Sequence, residues 1–135
     1  MSARHKARKR ALDLLYEADM KSVAALSLLS LRPARELSQS DYVSTLINGV
    51  AEHKEKIDEL ITTYAQGWDM DRMPAIDRNV LRIAIYEILW EKKLDDKVAV
   101  DEAVELCSEL STDDSAKYVN GILGRLIALK PSFAL

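Results

Sequence analysis

The sequence is short of the residues on which most site chemistry is built. It has one cysteine, so no intramolecular disulfide can form and nothing points to an oxidising compartment; the expected setting is the cytosol. Its two histidines, His5 and His53, and the absence of CxxC or HExxH spacing argue against a metal site, and Cys107 falls on the apolar stripe of a helix, where a buried thiol is the plain reading. The four glycines are scattered at 49, 67, 121 and 124 with no GxGxxG, Walker A or GxSxG pattern, so nothing cradles a nucleotide and no cofactor is expected. No run of about eighteen apolar residues occurs, which argues against a membrane-spanning helix. Asp13, Glu17 and Asp19 interrupt the apolar run after the basic start, which argues against a signal peptide. Asp58-Glu59 and Asp101-Glu102 fit solvated helix faces better than acid/base pairs. The chain lacks the parts of an enzyme.

What is present is helical spacing. With 135 residues, 48% hydrophobic and 30% charged, the chain is long enough to bury a real core as one domain. Ala7, Ala11, Leu14, Leu15 and Ala18 form one stripe of a 3.6-residue helix. A short second helix is expected from Val23 to Leu31, then a connection from Pro33 to Ser40, with Ser40-Asp41 as a cap. Helical pattern resumes through Val43, Leu46, Ile47 and Val50, then Ile57, Leu60, Ile61 and Tyr64, with a kink or break expected near His53. Pro74 suits the first turn of the next helix, which is apolar on most of its circumference and so is central or faces a partner. Lys97 to Asp101 alternates like a strand but has no second strand to pair with, and reads as the entry to a helix burying Val100, Ala103, Val104, Cys107 and Leu110. The run from Ser111 to Ser115 offers caps for a last helix whose core face is Val119, Ile122, Leu123, Leu126 and Ile127. The expected fold is all-α, with about seven helices in two small helical bundles, 1–66 and 67–135, packed as one domain.

The net charge of -3 conceals an asymmetry. Arg4, Lys6, Arg8, Lys9 and Arg10 put five positive charges into seven residues, leaving 14 basic and 22 acidic residues elsewhere. An acidic body steers a polyanion to that one basic end. On a helical wheel the charges lie opposite the apolar stripe or along its borders, and are expected to face solvent. The segment RHKARKR fits a solvated basic helix as well as a nucleic-acid-binding one. Lys117 and Tyr118, on the first turn of the last helix, add a cation and an aromatic face suited to a phosphate and an unstacked base, although Tyr118 also fits the edge of a core.

Four segments carry a family resemblance: RHKARKRALDLLYE, DRNVLRIAIYEIL, KVAVDEAVELCSELSTDDS and KYVNGILGRL. Together they resemble the bacterial transcription antitermination factor NusB family over nearly the whole chain. The resemblance implies binding to the single-stranded boxA element of ribosomal RNA leader transcripts together with NusE, a small-subunit ribosomal protein. It also implies work within an elongation complex of RNA polymerase and other Nus factors, with homodimers in some members. It places RNA-binding residues at Arg4, His5, Lys6, Arg8 and Tyr16 on the first helix and at Asp114, Ser115, Lys117, Tyr118 and Asn120 around the last. It places the NusE surface around Asp77, Arg82, Tyr86 and Glu87. Two other readings stay open: a NusB-like domain related to the N-terminal part of ribosomal RNA cytosine methyltransferases, which would need a catalytic unit beyond Leu135, and a helical protein-interaction module.

Overall fold

A helix apolar on most of its circumference must be surrounded, and the chain is built around one. The computed structural model describes residues 2–31 and 40–133, and among these it has seven α-helices: α1 (Ala3–Lys21), α2 (Ala25–Leu31), α3 (Ser40–Glu52), α4 (Lys54–Tyr64), α5 (Ala75–Trp90), α6 (Asp96–Leu110) and α7 (Asp113–Leu129). A short 3₁₀ turn, Lys130–Ser132, follows. Helix α5 touches α1, α3, α4, α6 and α7. One continuous apolar cluster runs from Ala7 on α1 to Leu126 on α7 and crosses the expected division at 66/67. The connection from Pro33 and the side chains of Ser40 and Asp41 lie outside the described residues.

The stripe predicted for α1 is buried in full. Helices α3 and α4 break at His53, and Pro74 caps α5. The segment at Lys97 is helical, with the Asp95 side chain accepting from the Lys97 N–H at 3.1 Å. Its core face is rotated from the expected one: Ala99, Ala103, Leu106 and Cys107 are buried, whereas Val100 and Val104 are half-buried and Leu110 is exposed. Helix α6 packs against both α5 and α7, so the residues facing their junction, not the bulkiest ones, go inside. Burial pushes the Cys107 thiol up to about 12, with the Asp77 charge adding to it, so the thiol stays protonated.

Two glycines are needed where they stand. A Cβ on Gly49 would lie 2.1 Å from Cε1 of Tyr86, so the α5 tyrosine can pack on α3 only over a bare backbone. Gly67 adopts a φ of +80°, a left-handed conformation that turns the chain out of α4. None of the helices is long and apolar enough to cross a membrane among the described residues.

Candidate nucleic-acid interface

Helix α1 starts with Ser2, whose hydroxyl accepts from the His5 N–H at 3.1 Å. From this cap the helix places Arg4, Lys6 and Arg10 in solvent. The expectation that Arg8 also faces solvent is corrected, since it is only 2% exposed, and His5, which the resemblance places among the RNA-binding residues, is equally buried. Arg8 borders the apolar stripe and turns inward. Its Nε donates to both carboxylate oxygens of Glu87 at 3.0 Å, and its Nη2 lies 2.9 Å from Oε2. The Tyr42 hydroxyl donates to the same carboxylate. Burial alone would lower the Arg8 guanidinium, but the hydrogen bond and charge of Glu87 outweigh it and hold the group above its ordinary value. Burial, then the Glu87 charge, raises the Tyr42 hydroxyl far above its usual range.

His5 turns toward α6, where Nδ1 meets Glu102 and Nε2 lies 3.9 Å from Glu109. Lys9 pairs with Glu109 at 2.9 Å. Glu102, expected on a solvated face, is thus half-buried, and α6 neutralises one flank of the basic helix. Carboxylate Glu105 lies within 4.8 Å of the ligand atoms of His5 and Glu102, a donor set that suits a cation by type. However, Arg8 Nη1 already supplies positive charge 3.7 Å from Glu102, so we assign no metal there. The Arg4 guanidinium sits over the Tyr42 ring, 4.5 Å from its centroid. Tyr16 is exposed on the same helix, 39% open, but twelve residues from Arg4, or about 18 Å along the axis.

At the other end of the sequence, Thr112 caps α7 by accepting from the Ser115 N–H at 2.9 Å. Ser115 is buried, and its hydroxyl donates to Asp77 Oδ2 at 2.7 Å while accepting from Thr112 and Ser111. This network ties the start of α7 to the start of α5. The residues expected to form one RNA element on α7 divide between two grooves. Lys117 and Asn120 line a groove of about 380 Å³ between α6 and α7, together with Asp101, Val104 and Glu105, and through Glu105 it borders the start of α1. Asp114, Ser115 and Tyr118 line a second groove of about 500 Å³ with Gln66, Trp68, Pro74, Ser111 and Thr112. There the Tyr118 ring is half-buried, its hydroxyl is buried without a partner, and burial raises its pKa. Trp68, which the sequence reading passed over, packs against it with ring centroids 4.9 Å apart. A tryptophan just after a glycine, in the connection between two helices, was the signal available for it.

Asp77, Arg82, Tyr86 and Glu87, around which the partner surface was expected, are all buried in α5. They hold the fold. Arg82 bridges Asp58, at 2.9 Å from Nε to Oδ1, and Asp19, at 3.1 Å from Nη1 to Oδ2. Asp58, read as solvated, is therefore an internal partner. Burial would raise the Asp19 carboxyl, but the Asn79 hydrogen bond and the charges of Arg82 and Arg78 hold it below the ordinary carboxylate value. Tyr86 packs on Gly49 and lies within 6.4 Å, centroid to centroid, of both His53 and Trp90.

The NusB family profile matches residues 5–128. The chain belongs to the NusB family. The transcription antitermination protein NusB of Beutenbergia cavernae is 53% identical over 97% of this chain and 93% of that one. The NusB of Nocardioides sp. is 50% identical over 99% and 100%. Among solved structures, T. maritima NusB superposes with a TM-score of 0.84 at 30% identity, over 95% of this chain and 92% of that one. A chain from a complex of the antitermination factors NusB and NusE with dsRNA shares the fold, with a TM-score of 0.75 at 22% identity over 98% and 99%. The NusB fold is thus the frame on which both grooves and the α1 basic face are set.

Proposed function

We propose that this chain is a non-catalytic, RNA-binding transcription antitermination factor that acts by positioning. It would bind single-stranded boxA RNA of ribosomal RNA leader transcripts together with NusE, and so hold the RNA within an elongating polymerase complex. The observation that supports this reading most directly is the solvent-facing set Arg4, Lys6 and Arg10 on a helix locked by the buried Arg8–Glu87 pair. Cations on a rigid helix can follow a phosphate backbone, while an otherwise acidic surface turns it away. Lys117 and Asn120 extend that face from the α6–α7 groove. His5 and Arg8 serve it from within, by orienting α1.

The relatives named as antitermination proteins and the fold shared with a chain from a NusB–NusE–RNA complex support the same reading. The test is titration of a boxA-type single strand, a scrambled single strand and a duplex, each with and without NusE. Preferential binding of the boxA strand that tightens with NusE is expected. Equal weak binding to all three, unchanged by NusE, would leave a helical protein-interaction module as the better reading.

A further inference from the structure

The groove at the start of α7 contains an aromatic side chain that no described contact requires to be exposed. Trp68 follows the left-handed Gly67, its backbone N–H donates to the Ala65 carbonyl at 3.2 Å, and this turn leaves the indole 42% exposed at the rim. One side of the indole meets the Tyr118 ring at 4.9 Å with the planes inclined at 51°. The two rings touch, so no base fits between them. Tyr118 is half-buried with its hydroxyl sunk and unpartnered, so it presents little free surface of its own and acts as a fixed wall against which the indole rests.

We infer that Trp68 is the stacking platform for one unpaired nucleobase, with Tyr118 as its buttress. This rests on the RNA-binding reading above and names the group that enters the second groove. The lining selects a base over the other parts of a nucleotide. The exposed Asp114 carboxylate repels a phosphate, whereas a flat uncharged ring gains by lying on the indole. Gln66, Ser111 and Thr112 line the same space: the Gln66 amide can donate to or accept from a base edge, while the Ser111 and Thr112 hydroxyls, whose protons go to Ser115, can only accept. A volume of about 500 Å³ falls within the range of sites that hold small molecules.

The experiment pairs protein variants with RNA lesions. Wild type, Trp68→Ala, Trp68→Phe and Tyr118→Phe are titrated with a boxA-type single strand and with a series in which each position in turn is abasic, in the presence of NusE, after thermal melting of each variant. Trp68→Ala should weaken binding on the order of tenfold, and Trp68→Phe and Tyr118→Phe, each of which keeps a ring at the contact, less. One abasic position should abolish the difference between wild type and Trp68→Ala. The chain has only two tryptophans, and Trp90 stacks on His53 at 3.9 Å, so intact RNA should quench wild-type emission and that same abasic strand should not. If Trp68→Ala loses folding, Trp68→Phe and the wild-type quenching series carry the test. Wild-type RNA binding with no position linked to Trp68 overturns the platform and leaves the RNA-binding reading intact. Loss of NusE binding by Trp68→Ala, with RNA binding unchanged, assigns the groove to protein and also overturns it. Failure of wild type to bind any RNA removes both.

Discussion

Arg4 and Arg8 stand one turn apart on α1 and have opposite roles, because four residues bring a side chain back to nearly the same face and a small angular difference decides which one enters the core. Arg8→Ala strips the partner from a buried carboxylate. It should cost about 3 to 5 kcal/mol of stability, read from denaturant midpoints, and RNA binding should recover at temperatures where the variant is folded. Arg4→Ala and Lys6→Ala should leave the midpoint almost unchanged. If those cations contact phosphates, each substitution should remove about 0.7 from the slope of log affinity against log salt. An Arg8→Ala protein of full stability would show that the Glu87 pair does not hold α1. Gly49 is a second residue-scale constraint. Gly49→Ala drives a methyl into the Tyr86 ring and should destabilise by about 1 to 3 kcal/mol, with partial rescue by Tyr86→Leu.

At the scale of elements, the start of α7 combines a cap, a tether and a charge that can be separated. Thr112 supplies the cap, so Asp114 is free of that duty and contributes only its charge beside the helix N-terminus. Asp114→Asn should therefore cost at most a few tenths of a kcal/mol in stability. If RNA passes this groove, the substitution should strengthen binding by a few tenths to about 1 kcal/mol at low salt, with the gain shrinking as salt rises. Weaker binding in a well-folded Asp114→Asn protein would mean that the carboxylate accepts a hydrogen bond from the RNA. Ser115 is the tether. Ser115→Ala leaves the Asp77 carboxylate, which is fully buried, without the 2.7 Å donor and should cost about 1 to 3 kcal/mol. It should also loosen the α5–α7 junction, visible as faster amide exchange in the first turn of α7.

Across the whole molecule, the polar groups on α5 reach outward to other helices and join them: Glu87 to α1 and α3, Arg82 to α1 and α4, Asp77 to α7. Stability should therefore respond to acid at Asp19, the partner that Arg82 reaches on α1. Asp19 has its carboxyl held below the ordinary value, so the stability it contributes is complete above the ordinary carboxylate range and is lost as the pH falls below that range, through the lowered folded-state value. The melting temperatures of wild type and Asp19→Asn should differ most near neutrality and converge only well below the ordinary carboxylate value of about 3.8. A difference that persists undiminished at low pH would show that Asp19 acts through packing and not through its charge.

The periodicity of apolar residues was enough to place the helices, the break at His53, the proline that opens α5 and the all-α architecture, because a 3.6-residue pattern reports directly on which face is buried. The basic cluster and the family segments were likewise legible in the residues themselves. Tertiary structure alone decided which polar residues are inside. Glu87 lies 79 positions from Arg8, Glu102 lies 97 from His5, and Asp77 lies 38 from Ser115. No local pattern records a partner that far away, and a buried charge looks the same in sequence as a solvated one until its counter-charge is placed beside it. The same holds for Trp68, whose platform exists only where the α4–α5 turn meets α7.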